Sequence, residues 1–254
     1  RGAELLEQTA HERLVERAEN EWPLARTRFT SFYLHGDGSL TPEPPREERS
    51  ATTYRFDPAR PVPSIGGNVS SLRDVLPLPA GLADPSYAGR GERTVDVMRP
   101  GGFDQWEAPG FHGCRAPYLP LGSRADVLVF QTEPLREATE VTGPIEVHLW
   151  VATSAVDTDF TAKLLDVYPP SAWYPLGYAL NLTDSIARLR YRNGRERGEP
   201  VTPGEAVQVT ITLYPTSNLF MPGHRIRLDV SSSNFPRFDV NPNTGKAIGR
   251  ERRR

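Results

Sequence analysis

From Asp126 onward, apolar and polar residues alternate in a way the first half of the chain does not. "GPIEVHLWVAT" (143–153) puts Ile145, Val147, Leu149 and Val151 on one side. "EAVQVTITLYPT" (205–216) does the same with Val207, Val209, Ile211 and Leu213. "HRIRLDVSS" (224–232) repeats the alternation through Ile226, Leu228 and Val230, and "DFTAKLLDVYP" (159–169) through Phe160, Ala162 and Leu164 before it weakens. "DVLVFQT" (126–132) is a largely apolar run, and "YALNLTDSIARLRYR" (178–192) fits two short strands or one interrupted strand. Period-two alternation marks half-buried strands. Strands with one apolar face, joined by Pro/Gly loops with no helix between them, predict an antiparallel sandwich.

Upstream the pattern differs. "AELLEQTAHERLVERAE" (3–19) carries Leu5, Leu6, Ala10, Leu14 and Val15 at helical spacing and predicts one amphipathic helix, with His11 solvated on it. "RFTSFYLHGDGSL" (28–40) predicts a strand ending in a Gly-Asp-Gly turn, "PEPPREER" (42–49) a connector, and "ATTYRFDP" (51–58) a second strand. Residues 57–122 are dense in Gly and Pro with few periodic runs, and so long a loop region is functional or packed against something else. The last strand runs into "SSSNFPRFDVNPNTG" (231–245) instead of a tight turn. Asn and Asp bond nearby backbone and Pro cannot extend a ladder, so an ordered loop is expected there, with Asn234, Asn241 and Asn243 fixing its turns.

Composition narrows the class. The 254 residues suffice for one large all-β domain or two small ones. Thirty basic against 32 acidic residues leave a net charge of −2, without the footprint of a nucleic-acid binder. No apolar run approaches the ~20 residues of a membrane span. The 25 prolines, about twice average usage, favour short strands and ordered loops. Cys114, the single cysteine, excludes an intrachain disulfide and reads as a packing residue. The chain starts "RGAELLEQ" without Met or a signal-peptide pattern and stops at "GRERRR" after a loop, so both ends read as truncations of a longer polypeptide.

Candidate chemistry is sparse. No G-x-S-x-G elbow occurs, and His11, His35, His112, His148 and His224 each suit packing or hydrogen bonding better than a general base. No HExxH pair suggests zinc. Asp157 and Asp159 stand two apart at a loop–strand junction, but calcium takes 6–8 oxygens and the ligand series does not continue. A loop capped by Asp hydrogen bonds is the expectation, and no metal or cofactor is assigned. Asn68-Val-Ser70 and Asn181-Leu-Thr183 match glycosylation sequons at chance level. Loop aromatics remain: Trp106, Phe111 and Tyr118, with Phe235 and Phe238. Such residues form a sugar platform, an acyl-pocket wall, a dry interface or a loop anchor, and all of these stay open.

Several segments together resemble one family. "FYLHGDGSL", "DPARPVPSIGG", "GGFDQWE", "DVLVFQTEPL", "GPIEVHLWVATSAVDTDFTAKLLDVYP", "GYALNLTDSIARLRYR" and "PTSNLFMPGHRIRLDVSSSNFPRFDVNPNTG" are similar, in this order, to the C-terminal domain of cocaine-esterase-like (CocE/NonD) hydrolases. Bacterial X-Pro dipeptidyl-peptidases share this domain. The resemblance runs from roughly residue 20 to the end. It implies a jelly-roll β-sandwich of galactose-binding-like kind (28–254), lacking its last strand, after a remnant or linker (1–27) from an upstream α/β-hydrolase domain. The family's serine, histidine and acid belong to that upstream domain, so no catalytic residue carries over.

The resulting expectation is a non-catalytic domain of a bacterial cytoplasmic serine hydrolase, packing on the catalytic domain and helping enclose a small acyl ester or amide/peptide substrate. Leu72, Trp106 and Phe111 are the expected pocket-wall residues, and dimer contacts are a further role. A stand-alone carbohydrate-binding module is the main alternative, since jelly rolls also serve as lectins. A purely oligomerising domain is the third.

Overall fold

The computed structural model describes residues 18–46, 50–68, 73–77, 92–96 and 98–246. Among these residues all the long elements are strands, as the alternation predicts. β1 (Tyr33–Leu34) and β2 (Leu40–Thr41) form a small ribbon, and β3 (Arg73–Pro77) pairs with β4 (Glu92–Asp96). β5 (Val127–Gln131), β7 (Asp159–Tyr168), β8 (Tyr178–Arg188) and β10 (Arg225–Ser231) make a four-stranded antiparallel sheet in the order β5-β10-β7-β8. β6 (Thr139–Val151) and β9 (Val207–Phe220) form a long antiparallel ribbon.

Alternation decides what the two layers bury. Val147 and Leu149 of β6, with Val209, Ile211 and Leu213 of β9, meet Phe130, Phe160, Ala162, Leu164, Ile226, Leu228 and Val230 of the sheet in one core. Burying each large aliphatic side chain there contributes roughly 1.5–3 kcal/mol. The opposite face of the ribbon is wet, with Trp150 75% exposed and His148 between Thr210 and Glu146. The β6–β9 ladder shifts register between Gly143 and Ile145, where Pro144 offers no N–H. Residues 178–188 form one continuous strand, with Leu182 as the extra residue of a register shift opposite Leu164 and Leu165.

The first half departs from its pattern. The single strand predicted over 28–40 is instead a small turn, with Tyr33–Leu34 pairing across His35–Gly38 to Leu40–Thr41 and Ser39 bridging Gln131 of β5. The strand predicted over 51–58 joins no ladder. Its aromatic Tyr54 instead packs against the core and hydrogen-bonds Ser232 at 2.7 Å. Residues 57–122, read as loop, contain the β3–β4 hairpin. The helix predicted over 3–19 lies outside the described residues except for 18–19, which are not helical.

Tyr54 gives a pH test. Burial pushes its phenol up from 10.0 to about 12. Below pH 10 both folded and unfolded phenols are neutral, so the group adds no pH dependence. Between 10 and about 12 the unfolded phenol ionises while the folded one keeps its proton, so stability falls with rising pH by up to about 3 kcal/mol. Denaturant unfolding on either side of that window should show this loss in the wild type relative to Tyr54→Phe. Parallel pH profiles for the two would contradict it.

Candidate functional site

One face of the four-stranded sheet is apolar and the other is ionic. Across the outer face Asp229 of β10, Lys163 of β7 and Asp184 of β8 stand directly opposite one another. Period-two alternation alone would put Lys163 in solvent, yet it is 4% exposed because loops cover it. Burial pulls its ammonium well below the ordinary lysine range, against the pull of Asp184 and Asp229. Arg227 grips Asp229 with two hydrogen bonds, at 2.6 and 2.9 Å. Arg237 lies 2.9 Å from Asp184. Each carboxylate therefore has its own guanidinium, and Lys163 donates to Gln105 Oε1 at 3.1 Å.

Gln105 joins this row to the loops above it. Its side-chain nitrogen donates to the Ile65 carbonyl at 2.8 Å. Its backbone N–H reaches Ala179 on β8, and its carbonyl accepts from Leu121. Gly101, Phe103 and Asp104 add further bonds from residues 98–122 to Gly67, Asn181 and Ala179. Val62, Ile65, Leu121 and Val127 form a second small core beneath, with Phe103, Phe111 and Cys114 against it.

The segments 62–68 and 231–237 are stitched together. Val62 N–H donates to Ser233 Oγ, Phe235 N–H to the Val62 carbonyl, and Ser64 N–H to the Phe235 carbonyl. Ser64 Oγ donates to Asn234 Oδ1, and Asn234 Nδ2 donates to Asp184 at 2.8 Å. Asn234 is therefore a bridge between loops and sheet and not only a turn former. Arg237 reaches Asn68 Oδ1 at 3.4 Å. Gly66 must be glycine: its φ is +63°, and a Cβ would lie 2.5 Å from the Gly101 carbonyl. Asn181, beside Gly67, is 3% exposed with neither amide atom hydrogen-bonded among the described residues. Such burial leaves its sequon no room for a glycan.

A second ionic latch holds the end of this region. Asp159 accepts two hydrogen bonds from Arg188, and Asp157 accepts from the backbone and side chain of Arg190. Asn241 Nδ2 donates to both carboxylates at 2.8 Å. The carboxylate pair is thus a loop cap, as expected, with arginine partners that the sequence did not single out. Asn243 follows with φ +64°, its N–H on Asn241 Oδ1, so these two asparagines do fix a turn. An open cleft of about 390 Å³ lies beside the latch, between Arg188, Tyr191, Phe238 and Asp239.

Trp106 and Phe111 both sit in the loop platform, half-buried. Trp106 Nε1 donates to the Tyr118 carbonyl at 2.7 Å, and Phe111 stacks edge-on against Phe103 at 5.3 Å with Arg99 over its ring. Leu72 lies outside the described residues. His35 bonds Thr41, His112 contacts the Phe235 ring, and His224 Nδ1 donates to Asp166 Oδ1 at 2.8 Å under Tyr168. Lys163, Asp184, Asp229 and Gln105 escaped sequence reading. Their only signal was a lysine among buried strand residues, which alternation assigns to water.

Residues 3–253 match the family described as the X-Pro dipeptidyl-peptidase C-terminal non-catalytic domain. The chain belongs to this family. Its similarity to the cocaine esterase of Rhodococcus sp. (strain MB1 Bresler) is 39% identity over 243 residues, covering 92% of this chain and 35% of the relative. The solved aminopeptidase of a marine sediment Thaumarchaeota archaeon is 32% identical, with TM-score 0.65, over 90% of this chain and 33% of its own. A solved α-amino acid ester hydrolase is 30% identical, with TM-score 0.61, over 85% of this chain and 30% of its own. The chain thus spans about a third of the length of these relatives. As a member of the X-Pro dipeptidyl-peptidase C-terminal family it is a non-catalytic domain of CocE/NonD-type hydrolases, a β-sandwich as the resemblance implied.

The ionic row predicts an order of mutational effects. Asp229→Asn leaves Arg227 and Lys163 as adjacent buried cations and should cost about 3–5 kcal/mol. Lys163→Met leaves each aspartate with its arginine and orphans only Gln105 Oε1, for about 1–3 kcal/mol. Denaturant midpoints of the two variants should fall in that order. A larger loss for Lys163→Met would overturn this reading of the row.

Proposed function

We propose that this chain is the C-terminal portion of a serine hydrolase acting on acyl esters or amides, and that its loop platform faces the catalytic domain and walls the substrate pocket. The observation that supports this is the platform itself. Three loop segments (62–68, 98–122 and 231–241) are fixed on one sheet face by buried ion pairs, by Gln105 and by bonds through Gly101, Phe103 and Asp104, although loops of this kind usually move more than the elements they connect. Rigid loops on a rigid sheet are what a pocket wall needs, because misplacement of about 1 Å costs large factors in rate. Trp106 and Phe111 supply apolar surface on the platform, and Leu72 is the third proposed wall residue.

In this reading the serine, histidine and acid come from the upstream α/β-hydrolase domain. They form and hydrolyse an acyl-enzyme with an oxyanion hole of their own. The sandwich contributes shape, domain packing and dimer contacts. The names of the similar proteins, an esterase, an amino acid ester hydrolase and an aminopeptidase, agree on acyl transfer and differ in the leaving group. A cytoplasmic setting fits the single cysteine. No helix among the described residues is long and apolar enough to cross a membrane.

Fluorophosphonate labelling of the full-length polypeptide, mapped by mass spectrometry, tests this directly. The probe should attach to one serine upstream of these residues. Stoichiometric attachment to a serine within 18–246 would defeat the proposal.

A further inference from the structure

The segment between residue 18 and β1 is tethered to the sandwich but does not bury its own aromatic side chains. Leu24 is its anchor, 6% exposed. Arg26 lies between Glu19 and Glu140 of β6, and Thr27 Oγ1 donates to the Thr142 carbonyl. Around these tethers Trp22 is 53% exposed, Phe29 75%, Phe32 41% and Tyr33 39%. Four large aromatic side chains thus face outward within 12 residues. The described residues give 28–32 no backbone hydrogen bond to the sandwich. An extended backbone with open donors and acceptors and an apolar face has the character of half an interface.

We infer that this aromatic arm docks on the upstream hydrolase domain of the same polypeptide. The inference rests on the function proposed above and names the surface through which the two domains join. Two observations choose this occupant. The family is a C-terminal domain, and the similar proteins are roughly three times as long as their matched part, so the additional chain leads into the arm from its N-terminal side. After Leu24 the arm is bonded to β6 through Arg26 and Thr27, while Trp22, Phe29 and Phe32 keep large exposed surfaces for a neighbour that arrives along the same backbone. Phe29 and Phe32 flank Thr30 and Ser31, and small polar residues between aromatic anchors suit a half-wet interdomain contact.

Hydroxyl-radical footprinting of the full-length polypeptide, read per residue and normalised for side-chain type, tests the inference. Trp150 and Leu176, 75% and 76% exposed on other elements, serve as references. Trp22, Phe29 and Phe32 should react several-fold more slowly than their exposure here implies. If Phe29 and Phe32 react as fast as the references in a polypeptide that still takes up fluorophosphonate, the docking inference fails while the hydrolase reading stands. A polypeptide that takes up no fluorophosphonate removes the hydrolase reading and the inference with it. Protection that appears only as concentration rises, together with a doubling of mass, assigns the arm to a second copy and overturns the inference.

Discussion

A lysine ammonium buried under loops is the constraint on which the rest of this molecule turns. Taking a charge out of water costs several kcal/mol unless partners replace the hydration. Lys163 has Asp184 and Asp229 opposite it on the neighbouring strands, and it donates to the Gln105 amide oxygen at 3.1 Å. Once Gln105 is fixed, so are its other partners, Ile65 in the 62–68 segment, Ala179 on β8 and the N–H of Leu121. Asp184 in turn orders Asn234 and Arg237. The buried charge and its partners thus tie three loops to the sheet, beside the backbone bonds that link those loops to one another.

The two faces of the sheet divide the labour. The apolar face, against β6 and β9, supplies ordinary hydrophobic stability. The ionic face supplies uniqueness of position. A layer of aliphatic side chains in place of Lys163, Asp184, Asp229, Arg227 and Arg237 would bury more apolar area, but it would tolerate loops sliding over it. Hydrogen bonds with fixed partners do not. The latch of Asp157, Asp159, Arg188, Arg190 and Asn241 repeats the device at the end of the same segment. In this domain the placement of the loops is held largely by charged and hydrogen-bonded groups.

The strands from Val127 onward were legible because each has one wet or loop-covered face and one core face, so burial writes itself into alternate positions. Residues 51–58 alternate too, but Tyr54 packs as an isolated anchor and its neighbours never reach a ladder. The Asp157–Asp159 cap could be read from spacing, whereas Arg188 and Arg190 could not, being 29 and 33 residues away from their partners. The ionic row was invisible for a plainer reason. A polar residue on the far side of a strand looks the same in sequence whether water or a loop lies over it. Trp106 and Phe111 were read as loop aromatics and do lie in loops, and their pocket-wall role is part of the proposal.

Amide hydrogen exchange in a Gln105→Leu variant tests the central claim most directly. The N–H groups of Ser64, Gly67 and Leu121 are each bonded to a loop carbonyl within the platform. If the Lys163–Gln105 contact sets the platform, their exchange should accelerate by roughly tenfold or more while amides of β7 and β10 keep their rates. Unchanged exchange at these loop positions would show that the platform holds without the buried charge, and would contradict the account.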